Sequence, residues 1–282
     1  MEIIKSKDNK TVKLIKSLNQ KKNREEVGLY VVEGLKIVEE ALQAAIIIEN
    51  LVIREDIYDS ACCGYEGLEW LWEVIDRNSE KEYRQDNLKK ITIFDKELFN
   101  STSFTENPQG IMALIEIPER ASKESFVDHK GNKLCILALD EIKDPGNMGT
   151  ILRTMDAFGI DGIILGRGCV DIYNDKVTRS SMGSIFRLKC FFSDDLSATL
   201  NEFKNDKFSI IGTDPHSDTD FTKVKIKDNV IIVIGNESKG ISELVRNSLT
   251  GTVSIPMIGR AESLNAAIAT ALVAYEFRKN NF

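Results

Sequence analysis

The second half of the chain alternates short apolar runs with helical stretches, and this alternation limits the fold more than any other feature. The runs LCILAL, GIILG, FSIIGT and VIIVIG are separated by segments such as LSATLNEFK. Strands that are apolar throughout and separated by helices are typical of a mostly parallel sheet covered on both faces. Ligands of such sheets bind at the carboxyl ends of the strands, and unusual loops follow positions 139, 234 and 255.

A hydrophilic stretch, ERASKESFVDHKGN, separates this region from the first half of the chain. It predicts a first domain over residues 1–118, a linker over 119–132 and a second domain over 133–282. In the first domain, YVVEGLKIVEEAL has the pattern of a strand, a turn and an amphipathic helix, and IIIENLVI and ITIFD have the pattern of strands. We therefore expect a small α/β domain there.

The distribution of charge qualifies the formal net charge of -7, which by itself disfavours a nucleic-acid partner. Residues 55–86 hold ten acids and three bases, 3 - 10 = -7, which equals the whole net charge. Residues 1–24 hold eight bases and two acids, 8 - 2 = +6. This basic stripe either binds RNA, with Lys13, Lys21 and Lys22 as candidate contacts, or is a solvated helix face. We interpret 55–86 as an insertion or a helical hairpin that faces away from RNA.

Several classes of protein are disfavoured by what the sequence lacks. No apolar run approaches the roughly 18 residues of a membrane span, and the charged start MEIIKSKDNK is unlike a secretory signal, so we expect a cytoplasmic protein. Five cysteines without a Cys-x-x-Cys pair predict reduced thiols, and two histidines offer little for a metal site. His216 is expected in a polar turn. No dinucleotide fingerprint or phosphate loop occurs.

Polar residues follow three of the predicted strands. In DPGNMGTILR we predict a helix from Met148 with Asn147 as its N-cap, which places Arg153 about two turns into the helix. Arg153 there is either functional or simply exposed to solvent. After the later strands come NESKG and MIGRAESLN, and Ser263 is the predicted N-cap of an alanine-rich final helix. That helix packs tightly either on the sheet or against a second copy.

Together these segments carry a family resemblance. DPGNMGTILRTMDAFGI, IGNESKGIS and IPMIGRAESLNAAIATALVAYEF resemble, in order and spacing, the three motifs of the SpoU (TrmH-like) branch of the SPOUT RNA methyltransferases. NDKVTRSSMGSIFRL also resembles this family. YVVEGLKIVEEAL and SFTENPQGIMALIEIPE resemble its small substrate-binding domain, which is akin to a ribosomal protein.

The resemblance implies an α/β fold in which a SPOUT domain with a parallel sheet forms a deep trefoil knot. It also implies S-adenosyl-L-methionine as the cofactor and a homodimer, formed through the C-terminal domain, whose sites draw on both subunits. The cofactor is expected to bind mainly through backbone groups of five residues: Thr213, Gly235, Ile255, Met257 and Leu264. A phosphate loop is unnecessary because this cofactor has no phosphate.

The resemblance places Arg153 at the ribose 2'-hydroxyl, where this arginine is often written as the general base. A guanidinium, with a pKa above about 12, is a poor proton acceptor near neutral pH. We expect Arg153 instead to orient the hydroxyl or a neighbouring phosphate and to stabilise the developing alkoxide.

The remaining expected site residues have polar or cationic side chains. Asn147 and Asn265 are expected to orient groups by hydrogen bonding, Glu237 to hold a loop or Arg153, and Ser263 to contact substrate. Fixation of a loop is the alternative for Glu237 and Ser263. Lys176 and Arg179 either contact RNA phosphates or are merely exposed.

The leading hypothesis is a cytoplasmic enzyme that uses S-adenosyl-L-methionine to methylate a ribose 2'-hydroxyl, in 23S ribosomal RNA in preference to transfer RNA. It needs no metal and no membrane. The alternative from another class is a non-catalytic ribosome-associated RNA-binding factor. Such a factor has no reason to keep all five expected site residues, which are Asn147, Arg153, Glu237, Ser263 and Asn265. An NAD-dependent doubly wound enzyme is disfavoured by the missing fingerprint.

Overall fold

The structure, a computed structural model, describes residues 2–44, 46–79, 87–127, 133–225, 228–260 and 262–281. Residues 80–86 of the predicted acidic segment and 128–132 of the predicted linker lie outside these ranges. The strands within them are β1 (Ile3–Ile4), β2 (Leu29–Glu33), β3 (Ile48–Arg54), β4 (Ile91–Phe94), β5 (Ile111–Glu116), β6 (Cys135–Leu139), β7 (Gly162–Gly166), β8 (Cys190–Ser193), β9 (Ser209–Thr213), β10 (Val230–Ile234) and β11 (Gly251–Val253). The α-helices are α1 (Lys10–Ser17), α2 (Lys21–Val27), α3 (Leu35–Gln43), α4 (Glu55–Cys62), α5 (Glu69–Ser79), α6 (Lys96–Thr102), α7 (Lys123–Val127), α8 (Pro145–Phe158), α9 (Asp175–Ser181), α10 (Leu196–Asn205), α11 (Glu243–Arg246) and α12 (Ala266–Asn281).

The chain forms two compact units. Unit 1 comprises Met1–Pro118 together with Tyr173–Phe186, and unit 2 comprises Glu119–Ile172 and Arg187–Phe282. The described part of the predicted linker belongs to unit 2 and contains α7, whose Phe126 is buried in the core of that unit. The domain boundaries proposed from the sequence stay a prediction.

Unit 1 is built on a five-stranded mixed sheet in the order β1-β4-β3-β5-β2. Asn9 caps α1 by accepting a hydrogen bond from the backbone of Thr11. Val12 and Ile15 lie on one face of α1 because they are three residues apart, and both are buried. They pack with α6, with alternate residues of β2 and β5, and with one residue each of β3 and β4 in one apolar core. The described part of the acidic segment consists of α4 and α5, which pack against each other as a helical hairpin does.

The segment 173–186 lies within the predicted second domain but packs in unit 1. The aromatic rings of Tyr173 and Tyr30, on β2, have centroids 4.8 Å apart, and α9 packs on β2. Gly183 lies against the side chain of Glu40 on α3, and a Cβ there would be 2.9 Å from the Cβ of Glu40. β2 is consequently buried along its whole length although it is an edge strand.

Unit 2 contains a six-stranded sheet in the order β11-β9-β10-β6-β7-β8, and every neighbouring pair is parallel. One face packs against α7, α10 and α11, and α8 and α12 pack against each other. The parallel sheet predicted from the alternation of strands and helices is thus confirmed. The trefoil knot implied by the family resemblance stays a prediction.

Two predicted helix caps are wrong. α8 begins at Pro145, and its N-cap is Asp144, whose side chain accepts a hydrogen bond from the backbone N–H of Asn147 at 2.7 Å. Proline suits the first helical position because its missing N–H is not needed there. α12 begins at Ala266, and the residue that accepts from its first turn is Asn265 rather than Ser263.

Two smaller predictions, those on the cysteines and on His216, have direct counterparts in the structure. All five cysteines are free thiols, and burial raises the pKa of Cys135 to about 12. His216 lies in a polar turn, where its backbone N–H donates to the side chain of Asp214. Among the described helices, none combines the length and the apolar sequence that a membrane span requires. The described residues contain no group of three or more His, Cys, Asp or Glu side chains that could hold a metal ion.

We expect Tyr173→Ala to destabilise unit 1 by about 3 kcal/mol, because it deletes a buried aromatic ring that stacks on Tyr30. Both tryptophans, Trp70 and Trp72, belong to unit 1, so urea unfolding followed by tryptophan fluorescence reports on that unit. The matched control is Tyr65→Ala, since Tyr65 is 68% exposed in the same unit. An unchanged fluorescence midpoint for Tyr173→Ala would mean that segment 173–186 does not stabilise unit 1.

Candidate active site

The carboxyl ends of four adjacent strands, β11, β9, β10 and β6, lie along one edge of the sheet in unit 2. From β6 the chain proceeds to β7 on one side, whereas β10 and β9 lie on the other side. This reversal of strand order between β6 and β10 is the kind of position at which open parallel sheets bind ligands. Asn147 follows β6 and Glu237 follows β10, so the two residues come from the two sides of this point.

Three of the predicted site residues form a continuous hydrogen-bonded relay. The Asn265 Nδ2 atom donates to Asn147 Oδ1 at 2.8 Å, and Asn147 Nδ2 donates to Glu237 Oε1 at 2.9 Å. Asn265 Oδ1 accepts from the backbone N–H groups of Ala267 and Ile268 at the start of α12. The relay therefore links a helix terminus, α8 and the loop after β10.

The start of α12 determines the direction of every hydrogen bond in this relay. Backbone N–H groups only donate, so the oxygen of the Asn265 amide must face the helix and its NH₂ group must face Asn147. Asn147 then presents its oxygen to Asn265 and its NH₂ group to Glu237. A carboxylate suits the end of the relay because it only accepts when ionised. The arrangement supplies oriented dipoles next to a negative charge.

Sequence reasoning missed the residues that hold the Glu237 loop. Asn236 Nδ2 donates to the carbonyl oxygen of Glu141 at 2.9 Å, and its Oδ1 accepts from the backbone N–H groups of Ser238 and Lys239. Asp140, which is buried, accepts from the backbone N–H of Ser242 at 2.7 Å. Asp144, the cap of α8, was also missed. An Asp-Pro pair before a helix is the sequence signal that identifies such a cap.

The structure does not join Arg153 or Ser263 to the relay. Arg153 is exposed on α8, and its side chain makes no hydrogen bond or ion pair with the residues described. It lies six residues after Asn147, which in a helix means about 9 Å further along the axis and on a different face. Ser263 is exposed two residues before Asn265 and likewise has no described partner. Both side chains are free to contact a ligand.

The five predicted cofactor residues lie at or just after the carboxyl ends of β9, β10 and β11, or just before α12. Gly235 is buried and the other four are half-buried. No hydrogen bond is found, within the described ranges, for the backbone N–H groups of Gly235, Ile255, Met257 and Leu264. Free backbone donors beside apolar side chains, with no cationic group among the five, suit a ligand that has an aromatic base and no phosphate.

The predicted RNA-binding residues all lie in unit 1. Lys13 pairs with Asp8 at 2.9 Å and Lys21 with Glu25 at 3.7 Å, whereas Lys22 is exposed without a described partner. Lys176 is exposed on α9, and Arg179 pairs with Asp175 at 2.8 Å. The last base of the N-terminal stripe, Arg24, is buried and donates to the carbonyl oxygens of Leu18 and Asn19, so it is absent from the surface.

The parallel sheet and the polar relay at its switch point define an α/β protein with a candidate ligand site at the carboxyl edge of the sheet in unit 2. Residues 134–275 match the model of the SpoU rRNA methylase family, and residues 9–113 match that of the MRM3-like substrate binding domain. The chain therefore belongs to the SpoU rRNA methylase family, which confirms the resemblance stated from the sequence.

Similar proteins cover nearly the whole chain. The 23S rRNA (guanosine(2553)-2'-O)-methyltransferase RlmP of Bacillus subtilis (strain 168) is 27% identical over 278 residues, 99% of this chain and 100% of that protein. A crystal structure of an AdoMet-bound rRNA methyltransferase from Sinorhizobium meliloti is 26% identical, with a TM-score of 0.80 and coverage of 99% of this chain and 97% of that one. The SpoU methyltransferase AviRb from Streptomyces viridochromogenes, in complex with AdoMet, is 25% identical, with a TM-score of 0.80 and coverage of 96% and 97%.

We expect Asn147→Asp to lower methyltransferase activity at least tenfold and Asn147→Asp with Glu237→Gln to restore most of it. The single variant places two carboxylates at hydrogen-bond distance, which costs about 1–4 kcal/mol at this exposure. The double variant reverses donor and acceptor, so the introduced glutamine NH₂ group donates to the introduced carboxylate on α8. Initial rates and thermal midpoints of the three proteins provide the check. Equal loss in the single and double variants would contradict the relay as the reason for the effect.

Proposed function

We propose that this protein transfers a methyl group from S-adenosyl-L-methionine to a ribose 2'-hydroxyl of 23S ribosomal RNA in the cytoplasm. The observation that carries the proposal is the relay Asn265–Asn147–Glu237 at the switch point of a SpoU-family sheet. Similarity to RlmP over nearly the whole of both chains favours ribosomal RNA as the substrate.

The cofactor, in this proposal, binds at the loops after β9, β10 and β11. The free backbone N–H groups of Gly235, Ile255, Met257 and Leu264 donate to it, and the half-buried side chains of the last three contact its apolar parts. The hydroxyl of Thr213 donates to the carbonyl oxygen of Val233, so its oxygen still accepts. When bound, S-adenosyl-L-methionine supplies an electrophilic methyl group carried on a positively charged sulfur. Two structural relatives, from Sinorhizobium meliloti and Streptomyces viridochromogenes, are bound to AdoMet, which is S-adenosyl-L-methionine.

Arg153 acts on the ribose in this proposal. Its guanidinium only donates hydrogen bonds. It donates to the hydroxyl oxygen and stabilises the negative charge that forms there as the proton passes to solvent. Exposure without a described partner leaves all its donors available for the substrate. The relay fixes Asn147 and Glu237 near the start of the same helix, and Ser263 contacts the substrate next to Asn265.

RNA is held by unit 1 through cationic side chains, which neutralise phosphates and position the substrate without reading its sequence. Lys22 and Lys176 are exposed without described partners, whereas Lys13, Lys21 and Arg179 exchange carboxylate partners for phosphates. The match of residues 9–113 to a substrate-binding domain supports this assignment. Because the RNA binds through several lysines, we expect its affinity for the protein to fall as the salt concentration rises.

A homodimer formed through unit 2 is part of the proposal. Ile268, Leu272 and Tyr275 are 51%, 42% and 49% exposed on α12. Their spacing of four and three residues places them on one face of the helix, where they form an exposed apolar stripe. Such a stripe is typical of a surface that a second protein surface covers.

We expect the wild-type chain to add one methyl group to 23S ribosomal RNA from a strain that lacks this protein, and Arg153→Ala to lower kcat at least about a hundredfold. Loss of the guanidinium removes the donors that stabilise the forming alkoxide. Labelled S-adenosyl-L-methionine and mass spectrometry of nuclease fragments locate the product. Arg153→Lys, which keeps the charge, is the control and should retain more activity than Arg153→Ala.

The same assay separates the alternatives. If the deletion strain lacks a methyl group in its transfer RNA instead, the substrate is transfer RNA. Binding of S-adenosyl-L-methionine without any transfer would favour a non-catalytic RNA-binding factor.

We expect Leu272→Asp to convert the dimer to a monomer, because a carboxylate buried in an apolar interface costs several kcal/mol. Sedimentation equilibrium of the full chain measures the mass directly. Leu244→Asp, at a position 73% exposed on α11, is the matched control and should leave the mass unchanged. A wild-type protein that sediments as a monomer would refute the dimer.

A further inference from the structure

One residue that none of the motifs contains links the loops assigned to the cofactor. Asp214 follows Thr213 at the end of β9, and its side chain is largely buried, with 13% exposed. Its backbone N–H donates to the carbonyl oxygen of Val253 at 2.9 Å, at the end of β11. Asp214 thereby holds the loop after β9 beside the loop that leads to Ile255 and Met257.

The carboxylate of Asp214 is hydrogen-bonded on both oxygens. Oδ1 accepts from the backbone N–H of His216 at 2.9 Å, which closes a tight turn after β9. Oδ2 forms an ion pair with the Arg246 guanidinium. The hydrogen bond from Arg246 holds the pKa of this carboxyl below its usual range, and the His216 backbone bond acts in the same direction.

Arg246 connects this turn to the third loop. It lies at the end of α11, the helix that follows residues 235–241. The start of α11 is held by Asp140, which accepts a hydrogen bond from the backbone N–H of Ser242. Ser217, in the turn after β9, adds a second tie to β11, because its hydroxyl donates to the carbonyl oxygen of Thr252 at 2.9 Å. The pair Asp214–Arg246 therefore joins the loops after β9, β10 and β11.

We infer that Asp214 and Arg246 are positioning residues for cofactor binding, which hold the three loops at the spacing that S-adenosyl-L-methionine requires. This inference rests on the proposed function. Neither residue belongs to the relay of Asn147, Glu237 and Asn265. Loss of the ion pair therefore weakens cofactor binding and leaves RNA binding and the chemical step largely unchanged. Asp214 and Arg246 act on the cofactor only by holding the loops, so neither side chain needs to contact the cofactor.

Arg246→Gln is the test variant, because Arg246 is 45% exposed and its replacement leaves the core intact. We expect the Kd and KM for S-adenosyl-L-methionine to rise about tenfold, while kcat at saturating cofactor and the KM for 23S ribosomal RNA change less than about twofold. Arg246→Lys should bring the cofactor Kd back to within about threefold of wild type, since it keeps the charge. Isothermal titration with S-adenosyl-L-methionine and steady-state kinetics of the full chain supply these values.

The control variant is Lys123→Gln, which removes another ion-paired cation of unit 2. Lys123 pairs with Asp206, just after the end of α10, at 2.8 Å and with Glu202 on α10 at 3.5 Å. Its contacts with the described residues include none of the three loops, so the cofactor Kd of this variant should equal that of wild type. A double-mutant cycle with Asp214→Asn tests the pair directly: if the two residues act as a unit, the double variant costs no more than Arg246→Gln alone.

The outcomes separate this inference from the function on which it rests. Wild-type protein that binds no S-adenosyl-L-methionine, with or without RNA, would overturn the proposed function. Wild-type binding with an unchanged cofactor Kd in Arg246→Gln would overturn the positioning role alone. Equal losses in cofactor affinity, RNA affinity and thermal midpoint would also overturn it, because they indicate general destabilisation.

Discussion

The candidate active site depends on the close approach of two backbone segments at Gly235. A Cβ atom at this position would lie 2.2 Å from both the carbonyl carbon of Gly240 and the amide nitrogen of Ile241, so only glycine fits without a shift of the backbone. The approach folds residues 235–241 back on themselves, and Asn236 and Gly240 exchange backbone hydrogen bonds across the turn. Glu237 lies at the tip of this turn and thereby reaches Asn147 on α8.

The contact between Glu237 and Asn147 also gives the relay a fixed donor-to-acceptor direction. A relay of two amides has no preferred direction by itself, because an amide group donates and accepts equally well. Here the N-terminus of α12 at one end and a carboxylate at the other impose the same direction, so each amide has one orientation that satisfies all of its partners. The protein itself thus fixes the dipoles of the candidate active site, and fixed dipoles are what electrostatic stabilisation of a transition state requires.

Sequence reasoning succeeded where a pattern has a single physical meaning and failed where several residues compete for one role. Apolar strands separated by helices permit few arrangements besides a parallel sheet, and three spaced motifs identify the family. The helix caps were wrong because Asp144 and Asn147, or Ser263 and Asn265, are all good N-cap residues and lie within three positions of each other. Only the folded backbone decides which side chain meets a free N–H. Arg24 belongs to a basic run in the sequence, yet tertiary contacts draw its side chain into the interior.

The division of the chain into two units also bears on how such proteins are recombined. Unit 1 is discontinuous in sequence, because Tyr173–Phe186 returns to it from within the region that matches the methylase family. A substrate domain of this kind therefore cannot be separated from the rest of the chain as one continuous N-terminal segment. A chimaera that exchanges RNA-recognition modules between relatives has to carry this second segment along with the first, and the splice then has three junctions, at 118/119, 172/173 and 186/187, instead of one.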